Sequence, residues 1–317
     1  EVLNVMERYG KHIDSTPNPT GKTTWIGKAH FLPHVYNFVR QRKPVLMTLP
    51  AFPCKSANRQ NKVLGHLPDL GEELGLRRLH EMASDIGKVY APGAFINIAT
   101  DGVLFSDIIG ITEEDCWEYG EALKVLIKEN DFNTLRFVRP MTMLGLSSFE
   151  ENIRENYIAT AELCREEIMR CFGPSEKTID TAIRKDKDTG LTYCGMVKFL
   201  ESELETHLSL TGLNKAAKRK AIKAAARKMM QRSEAFTLAI RTARPGDVRL
   251  SIHPSSGAAK LSFPLVPSPE GFFQRSPWHS CVAIGLDGEA RCVHSIDVKK
   301  THDLVYKNRR AWYYQEK

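Results

Sequence analysis

Apolar residues follow two different spacings in the first part of the chain. Residues 44–53 and 88–100 are short apolar runs bounded by proline or polar residues, which is typical of buried β-strands. Between them, residues 71–86 repeat leucine, methionine and isoleucine at helical spacing and predict an amphipathic helix. A strand, a helix and a second strand in this order form the parallel α/β unit, so we expect an α/β fold.

The middle of the chain is predicted to be mainly helical. Residues 112–130 begin with a threonine followed by acidic residues, the pattern of an N-cap and a negatively charged first helical turn. A third strand is predicted at 135–138, because this short apolar run ends at a proline. Beyond it, residues 149–171 and 197–241 have helical spacing, with a break near Gly212.

The last part of the chain returns to β patterning. Its segments alternate or run apolar, as strands do, and they are residues 249–253, 260–266, 279–286 and 290–298. The pair Asp287-Gly288 predicts a hairpin between the last two segments. The first two flank a Gly-Ala-Ala turn, and we expect a second hairpin there.

These elements together predict the fold class and the domain organisation. We expect an α/β protein with a Rossmann-like mixed sheet, a helical insertion and a C-terminal antiparallel β segment. The 317 residues are enough for one large domain over 1–317. It would have an α/β half at 1–145, a mainly helical part at 146–245 and a β-rich half at 246–317. Since residue 1 is Glu rather than Met, we expect a segment cut from a longer multidomain chain.

Cysteine usage and hydropathy narrow the class of protein. The seven cysteines are odd in number, scattered and without a CxxC pair, which argues against a disulfide framework and a zinc ribbon. No apolar run approaches the roughly 20 residues of a membrane span. We therefore expect a soluble, cytoplasmic protein with reduced thiols and no membrane partner.

Much of the net charge of +7 lies in the predicted helix at 215–232, KAAKRKAIKAAARKMMQR. Such a basic helix can bind nucleic acid, but it also matches a solvated helix surface on which lysine stems cover apolar neighbours. The sequence has no helix-turn-helix, zinc-finger or aromatic-studded RNA-binding pattern. We predict no nucleic-acid partner, and we keep a non-catalytic binder of nucleic acid or anionic surfaces as the alternative.

Three polar segments stand at or after the ends of predicted strands. They are Pro-Ala-Phe-Pro-Cys-Lys-Ser at 50–56, Thr-Asp-Gly through Phe-Ser-Asp at 100–107, and Arg-Leu-Ser-Ile-His-Pro at 249–254 continuing to Pro-Trp-His at 277–279. In this order and at these separations, the segments resemble the pyoverdine/dityrosine biosynthesis family, the isocyanide (isonitrile) synthases. The resemblance extends over nearly the whole chain.

The resemblance implies chemistry on an L-amino acid. In this family the amine condenses with the C2 ketone of ribulose 5-phosphate, the carbon donor, phosphate is eliminated, and fragmentation of carbon–carbon lyase type leaves an isocyanide. It implies no cofactor and no metal, a tyrosine, tryptophan or valine-type substrate, and in some fungal members a fused tailoring enzyme domain of secondary metabolism. Another amino-acid-modifying enzyme of the same fold, adenylating or formylating, stays open as an alternative.

This chemistry needs cations for a phosphate and a carboxylate. Arginine grips such anions with two parallel hydrogen bonds, whereas lysine supplies a point charge. We assign Arg249, Ser251, Ser256 and Lys260 to the phosphate, because the Gly-Lys-Thr at 21–23 lacks the earlier glycine of a phosphate-binding loop. The candidates for the substrate carboxylate or amine are the cations that follow the first predicted strand, Lys55 and Arg59.

Proton transfer needs groups that titrate near neutral pH, and histidine is the usual one. His253 and His279 come from adjacent β segments and are predicted to share a pocket. Lys55 is a further candidate, because burial lowers the pKa of lysine. Asp101 and Asp107 are predicted to bind the substrate ammonium, with Asp107 as the catalytic base. No ligand spacing supports a metal site.

The histidine and lysine assignments predict the behaviour of two variants. His253→Ala and Lys260→Ala should each abolish turnover, because one removes a proton carrier and the other a phosphate ligand, while the circular dichroism spectrum stays unchanged. A variant that keeps full activity contradicts the assignment at that residue.

Overall fold

The computed structural model describes residues 1–10, 25, 27–205, 207–253, 261–267 and 275–317. The helices in this part of the chain are α1 (Val2–Tyr9), α2 (Lys28–Arg40), α3 (Leu70–Val89), α4 (Gly102–Ile109), α5 (Glu113–Glu129), α6 (Pro140–Met143), α7 (Arg154–Ala159), α8 (Ala161–Phe172), α9 (Glu176–Lys185), α10 (Lys187–Glu203), α11 (Lys215–Ala243) and α12 (Ser295–Val298). Short 3-10 turns lie at Ser147–Phe149, Leu208–Leu210 and Pro277–His279.

The strands form two sheets. They are β1 (Val45–Pro50), β2 (Ala94–Ala99), β3 (Leu135–Val138), β4 (Val248–Ser251), β5 (Leu261–Ser262), β6 (Cys281–Ile284), β7 (Ala290–Val293), β8 (His302–Lys307) and β9 (Arg310–Glu316). The larger sheet has the order β3-β2-β1-β4-β5, and each of its neighbouring pairs is parallel. This is the strand order of Rossmann-like folds, in which ligands bind where the order reverses, here between β1 and β4.

Fully buried side chains cover one face of the larger sheet. Val45, Met47 and Leu49 of β1 are fully buried, as are Ile96 and Ile98 of β2. The helix α3 covers this sheet with the apolar face that its spacing predicted. Its N-terminus is fixed by a capping box between Asp69 and Glu72. The α/β fold class predicted from the sequence is confirmed.

The second sheet has the order β7-β6-β9-β8. The predicted hairpin at Asp287-Gly288 is confirmed, since β6 and β7 pair antiparallel with Cys281 opposite Val293. The pairing of β6 with β9 is parallel, so this segment is mixed rather than purely antiparallel. The predicted hairpin of β4 and β5 is wrong, because the two strands pair in parallel, with Leu250 beside Leu261. Their Gly-Ala-Ala turn lies outside the described residues.

The helices α7 to α11 form the insertion that the sequence predicted. The basic helix α11 is amphipathic: Ile222, Ala226, Met229 and Met230 are buried against neighbouring helices, including α8 and α10. Its lysines and arginines at 219–220 and 227–228 are exposed. No helix within the described ranges is long and apolar enough to cross a membrane.

The helix α4 was not predicted. It begins at Gly102, directly after Asp101, and contains most of the second polar segment. The helix α4 is buried on most of its sides. Its sequence therefore lacks the alternation of apolar and polar faces by which an amphipathic helix is predicted. Gly102 allows a close approach, because a Cβ at this position would lie 2.2 Å from the carbonyl oxygen of Pro53.

The close approach at Gly102 predicts a strong effect of one methyl group. Gly102→Ala should lower the free energy of unfolding by about 3 kcal/mol, because the backbone of Pro53 cannot yield as a flexible side chain would. The control is Gly87→Ala on the exposed side of α3, where a Cβ meets nothing within 4 Å. This change should stabilise the helix by about 0.5–1 kcal/mol. Urea unfolding followed by circular dichroism measures both, and equal effects would contradict the packing at Gly102.

Candidate active site

The three polar segments named above converge at the carboxyl end of the parallel sheet. The hydroxyl of Thr100 donates to the carbonyl oxygen of Phe52 at 3.0 Å, and the amide of Ser56 donates to that of Trp278 at 2.8 Å. The rings of Phe52 and Trp278 are 5.1 Å apart. The edge beside the β1–β4 reversal, where this class of fold binds ligands, is therefore built by all three segments.

The loop after β1 has a strained backbone. Phe52 has a φ of 57° although it is a bulky residue, and its side chain is fully buried. Such a conformation costs about 1–3 kcal/mol and persists only where the surroundings hold it. Here the ring of Phe52 packs against Trp278 and lies close to Gly75, where an added Cβ would be 3.5 Å from it. Strain of this kind is concentrated at functional sites.

Lys55 fixes the same loop through buried ion pairs. Its ammonium lies 2.7 Å from Asp69 and 2.9 Å from Glu72, and it donates to the carbonyl oxygens of Pro277 at 3.0 Å and Ser280 at 3.4 Å. Burial by itself would lower the pKa of Lys55, but the two carboxylates outweigh it and raise the pKa to about 12. The expectation of a lysine that acts on the substrate amine is therefore corrected, since its charge is neutralised inside the protein.

Asp107 is likewise occupied by cations. It forms ion pairs with Arg232 and Lys228 of α11 and with Arg165 of α8. Burial would raise the pKa of Asp107, but hydrogen bonds from Arg232 and Lys228 outweigh burial and lower it. A carboxylate held in this way is a poor base, so the expected role of Asp107 is corrected to that of a link between α4 and the helical insertion.

Arg59 lies at the surface and not in the converging segments. Its side chain is 48% exposed and pairs with Asp115 in the first turn of α5. Beside Arg59, the side chains of His66, Asp115 and Glu118 have ligand atoms within 4.8 Å of one another. Among the described residues, this group could hold a metal ion. The pairing of Asp115 with Arg59 and of His66 with Glu118 at 2.9 Å accounts for these contacts without an ion. The expected contact of Arg59 with substrate is thereby corrected.

Asp101 and Arg249 form the first candidate pair at the sheet edge. Asp101 follows β2 and stands at the N-terminus of α4, while Arg249 lies on β4 next to Thr48 of β1. Both residues are half-buried, yet the Oδ1 atom of Asp101 and the Nη1 atom of Arg249 are buried and have no partner among the described residues. Buried polar atoms are normally paired, so these two atoms point to a ligand.

The electrostatics of this pair suit proton transfer and anion binding. Burial raises the pKa of Asp101 to about 7, and the charge of Arg249 offsets this only in part. Burial and the nearby charge of Arg241 lower the pKa of Arg249 to about 10, which Asp101 opposes. At neutral pH the arginine is charged, and the carboxyl group of Asp101 can give or take a proton.

The hydroxyl of Ser251 stabilises the turn after β4. Its Oγ accepts from the amide of His253 at 3.2 Å, and Ser262 donates to the carbonyl oxygen of His253 at 2.7 Å. These bonds shape the turn that presents His253. The predicted phosphate ligands Ser256 and Lys260 lie outside the described residues.

His279 belongs to a second cluster that the sequence did not foresee. The carboxylate of Glu203, at the end of α10, lies 2.7 Å from the ammonium of Lys62 and 3.7 Å from Nδ1 of His279. The ring of Phe199 meets the ring of His279 edge-on at 4.8 Å. Burial would raise the pKa of Glu203, but His279 and Lys62 lower it to about 2, so the group is a carboxylate at neutral pH.

The charges of both clusters act on the loop after β1. A hydrogen bond with Cys116 and burial raise the pKa of the Cys54 thiol, and the charges of Asp101 and Glu203 add to the rise. Both carboxylates are thus within electrostatic range of Cys54 in the loop after β1. Of the predicted site residues that the structure describes, Lys55, Asp101, Arg249, Ser251, His253 and His279 lie at this end of the sheet. Arg59 and Asp107 are engaged elsewhere.

Glu203 was missed because the run Glu-Ser-Glu-Leu-Glu at 201–205 has the composition of a solvated helix end. Lys62 was missed because it lies in a polar loop. One signal was present: Glu203 follows the buried Leu200 by three residues and so shares its helix face. That spacing places Glu203 inside, but it does not reveal Lys62 or His279 as its neighbours.

The fold and the edge described above define a Rossmann-like α/β protein with a candidate catalytic site at the topological switch point. A model of the pyoverdine/dityrosine biosynthesis protein family matches residues 35–305. The chain belongs to this family. The crystal structure of the PvcA protein from Pseudomonas aeruginosa matches with a TM-score of 0.85 and 25% identity, covering 100% of this chain and 98% of that one.

Relatives in the family are named isocyanide or isonitrile synthases. Isocyanide synthase xanB of Aspergillus fumigatus is 43% identical over 100% of this chain, and the chain spans 41% of its length. The isocyanide synthase-NRPS hybrid crmA of the same organism is 36% identical over 91% of the chain, which spans 18% of its length. An L-tyrosine isonitrile synthase of Xenorhabdus nematophila is 30% identical over 84% of this chain and 76% of its own.

The raised pKa of Asp101 predicts a pH dependence of stability. The folded state binds this proton more tightly than the unfolded state, whose pKa is near the ordinary 3.8. The contribution of Asp101 is therefore full below pH 4 and is lost as the pH rises toward 7.

Asp101→Asn should remove this loss. Relative to the wild type, the variant should gain roughly 2–4 kcal/mol of unfolding free energy at pH 8 and little at pH 4. Urea unfolding at the two pH values measures the difference. Parallel pH dependences of the two proteins would contradict a buried, protonated Asp101.

Proposed function

We propose that this protein is an isocyanide synthase that converts the amino group of an L-amino acid into an isocyanide, with ribulose 5-phosphate as the carbon donor. The observation that carries the proposal is the convergence of the three polar segments at the switch point of the sheet. Two pairs of side chains there have buried polar atoms without partners among the described residues. The names of the relatives support the same reaction.

The proposed reaction divides into steps that these groups suit. The amine attacks the C2 ketone of ribulose 5-phosphate and forms an imine with loss of water. Elimination then releases phosphate, and fragmentation leaves the amino nitrogen bound to one carbon as the isocyanide. Each step moves protons near neutral pH, where a carboxyl group with a pKa of about 7, such as that of Asp101, is an efficient acid and base.

Arg249 is the group that we assign to the phosphate. Its Nη1 atom is buried without a partner in the described part of the chain, and guanidinium groups bind phosphate oxygens through paired hydrogen bonds. Ser256 and Lys260, which follow β4 in the sequence, remain proposed phosphate ligands. His253 and His279 remain the proposed proton carriers, whereas Lys55 shapes the site from within the core.

Substrate choice and domain partners are part of the same proposal. Relatives are named for tyrosine and for tryptophan, the latter being an isonitrile synthase of Fischerella ambigua, 29% identical over 91% of this chain and 82% of its own length. An aliphatic amino acid is the other candidate. Because the chain spans less than half of xanB and of crmA, we propose that a fused or separate tailoring enzyme acts on the product.

Turnover is the direct test. The protein is incubated with ribulose 5-phosphate and one of valine, leucine, tyrosine or tryptophan. An isocyanide band in the infrared spectrum and equimolar phosphate are expected with one of the four. Arg249→Gln should raise KM for ribulose 5-phosphate about 10- to 100-fold, because a charged hydrogen bond is worth about 1.5–3 kcal/mol. The absence of isocyanide with all four amino acids would refute the proposed function.

A further inference from the structure

Two buried polar atoms in the second cluster are neighbours, and both are without a partner. They are Oε1 of Glu203 and Nδ1 of His279, and no described residue hydrogen-bonds to either. The other oxygen of Glu203 lies 3.7 Å from Nδ1 of His279, beyond hydrogen-bond distance. Since unpaired buried polar atoms are rare, two beside each other point to a ligand group that contacts both.

A group that binds both atoms must be a donor and is favoured by positive charge. The pKa of Glu203 stays at about 2 because of His279 and Lys62, against the effect of burial, so Oε1 belongs to a carboxylate and can only accept. Lys62 occupies Oε2 at 2.7 Å, which leaves Oε1 available. When His279 is neutral with its proton on Nε2, its Nδ1 atom is also an acceptor, and Lys62 remains as the cation that keeps Glu203 ionised.

The side chain of His279 is 22% exposed, whereas that of Glu203 is fully buried, so the histidine is the member of the pair nearer to solvent. Phe199 adds an aromatic ring beside the histidine, which favours a cation further. An ammonium supplies three N–H donors and one positive charge, so it satisfies both atoms at once.

We propose that Glu203 and His279 form the subsite that binds the α-ammonium group of the amino-acid substrate. This inference rests on the proposed function and assigns one part of it. Asp107, which the sequence favoured for this role, is held by Arg232 and Lys228. In the subsite, the N–H bond of the ammonium breaks toward Nδ1 of His279. The lone pair left on nitrogen then attacks the C2 carbonyl carbon of ribulose 5-phosphate, the π pair of the C=O bond moves onto its oxygen, and this oxygen takes up a proton and leaves as water when the imine forms.

The test compares the wild type with Glu203→Gln, which keeps the shape of the side chain and removes its charge. KM for the amino acid should rise about 10- to 100-fold, as expected for the loss of a charge-assisted hydrogen bond, while KM for ribulose 5-phosphate changes less than threefold. Calorimetry should show that the variant binds the desamino analogue of the substrate as the wild type does. The matched control is Glu201→Gln, an exposed position on the same helix, which should keep both KM values.

A second variant guards against a folding defect, because Glu203→Gln leaves Lys62 buried without its counter-charge. The double variant Lys62→Met/Glu203→Gln removes both charges and should show the same selective rise in KM for the amino acid. Its circular dichroism spectrum and melting temperature report whether it folds. A water molecule in place of the ammonium predicts unchanged KM values in both variants.

The outcomes separate this subsite from the proposed function. Isocyanide formation by the wild type with a KM for the amino acid that is unchanged in the folded variants overturns the subsite alone. Equal weakening of the amino acid and its desamino analogue also overturns it, because Glu203 would then act through the structure. Failure of the wild type to form isocyanide with every amino acid overturns the proposed function and the subsite together.

Discussion

The buried ion pairs of Lys55 with Asp69 and Glu72 are the interaction on which the candidate site depends. A charge with no exposure needs partners on all sides, and Asp69, Glu72 and the carbonyl oxygens of Pro277 and Ser280 supply them. These partners tie the loop after β1 to the N-terminus of α3 and to the turn before β6. Removing one partner of such an ion pair costs about 3–5 kcal/mol of unfolding free energy. The ion pair therefore holds the loop, the helix terminus and the turn in one arrangement.

That arrangement divides the acidic groups into two kinds. Asp69, Glu72 and Asp107 are occupied by lysine or arginine, so they join elements of the fold. Asp101 and Glu203 each keep one buried oxygen without a partner in the described part of the chain. Burial raises the pKa of Asp101 to about 7, while the neighbouring cations keep Glu203 ionised. Two carboxyl groups on the same side of a sheet thereby become suited to different tasks.

Much of the fold follows from local pattern. The spacing of apolar residues predicted β1, α3, β2, α5 and β3, and a threonine N-cap marked the start of α5. The pattern failed for α4, whose residues are apolar on most sides, and for β4 and β5, whose relative direction depends on the path of the connecting segment. At the site, Asp101 and Arg249 were found because they follow or lie in strands that end at one edge, whereas His279 lies in the 3-10 turn before β6. Glu203 was not, because its neighbours in the sequence look like solvent-exposed residues.

The sequence by itself determined the β1-α3-β2 unit with α5 and β3, the family and the three segments that build the site. These are properties of local spacing and short motifs, which a chain carries wherever it folds. Only the tertiary structure decided which charged residues form ion pairs with each other. Lys62 and Glu203 are 141 positions apart, and Asp107 and Arg232 are 125 apart. Coulombic attraction and burial act over a few ångströms in space, so the role of each ionisable residue depends on neighbours that the sequence does not place beside it.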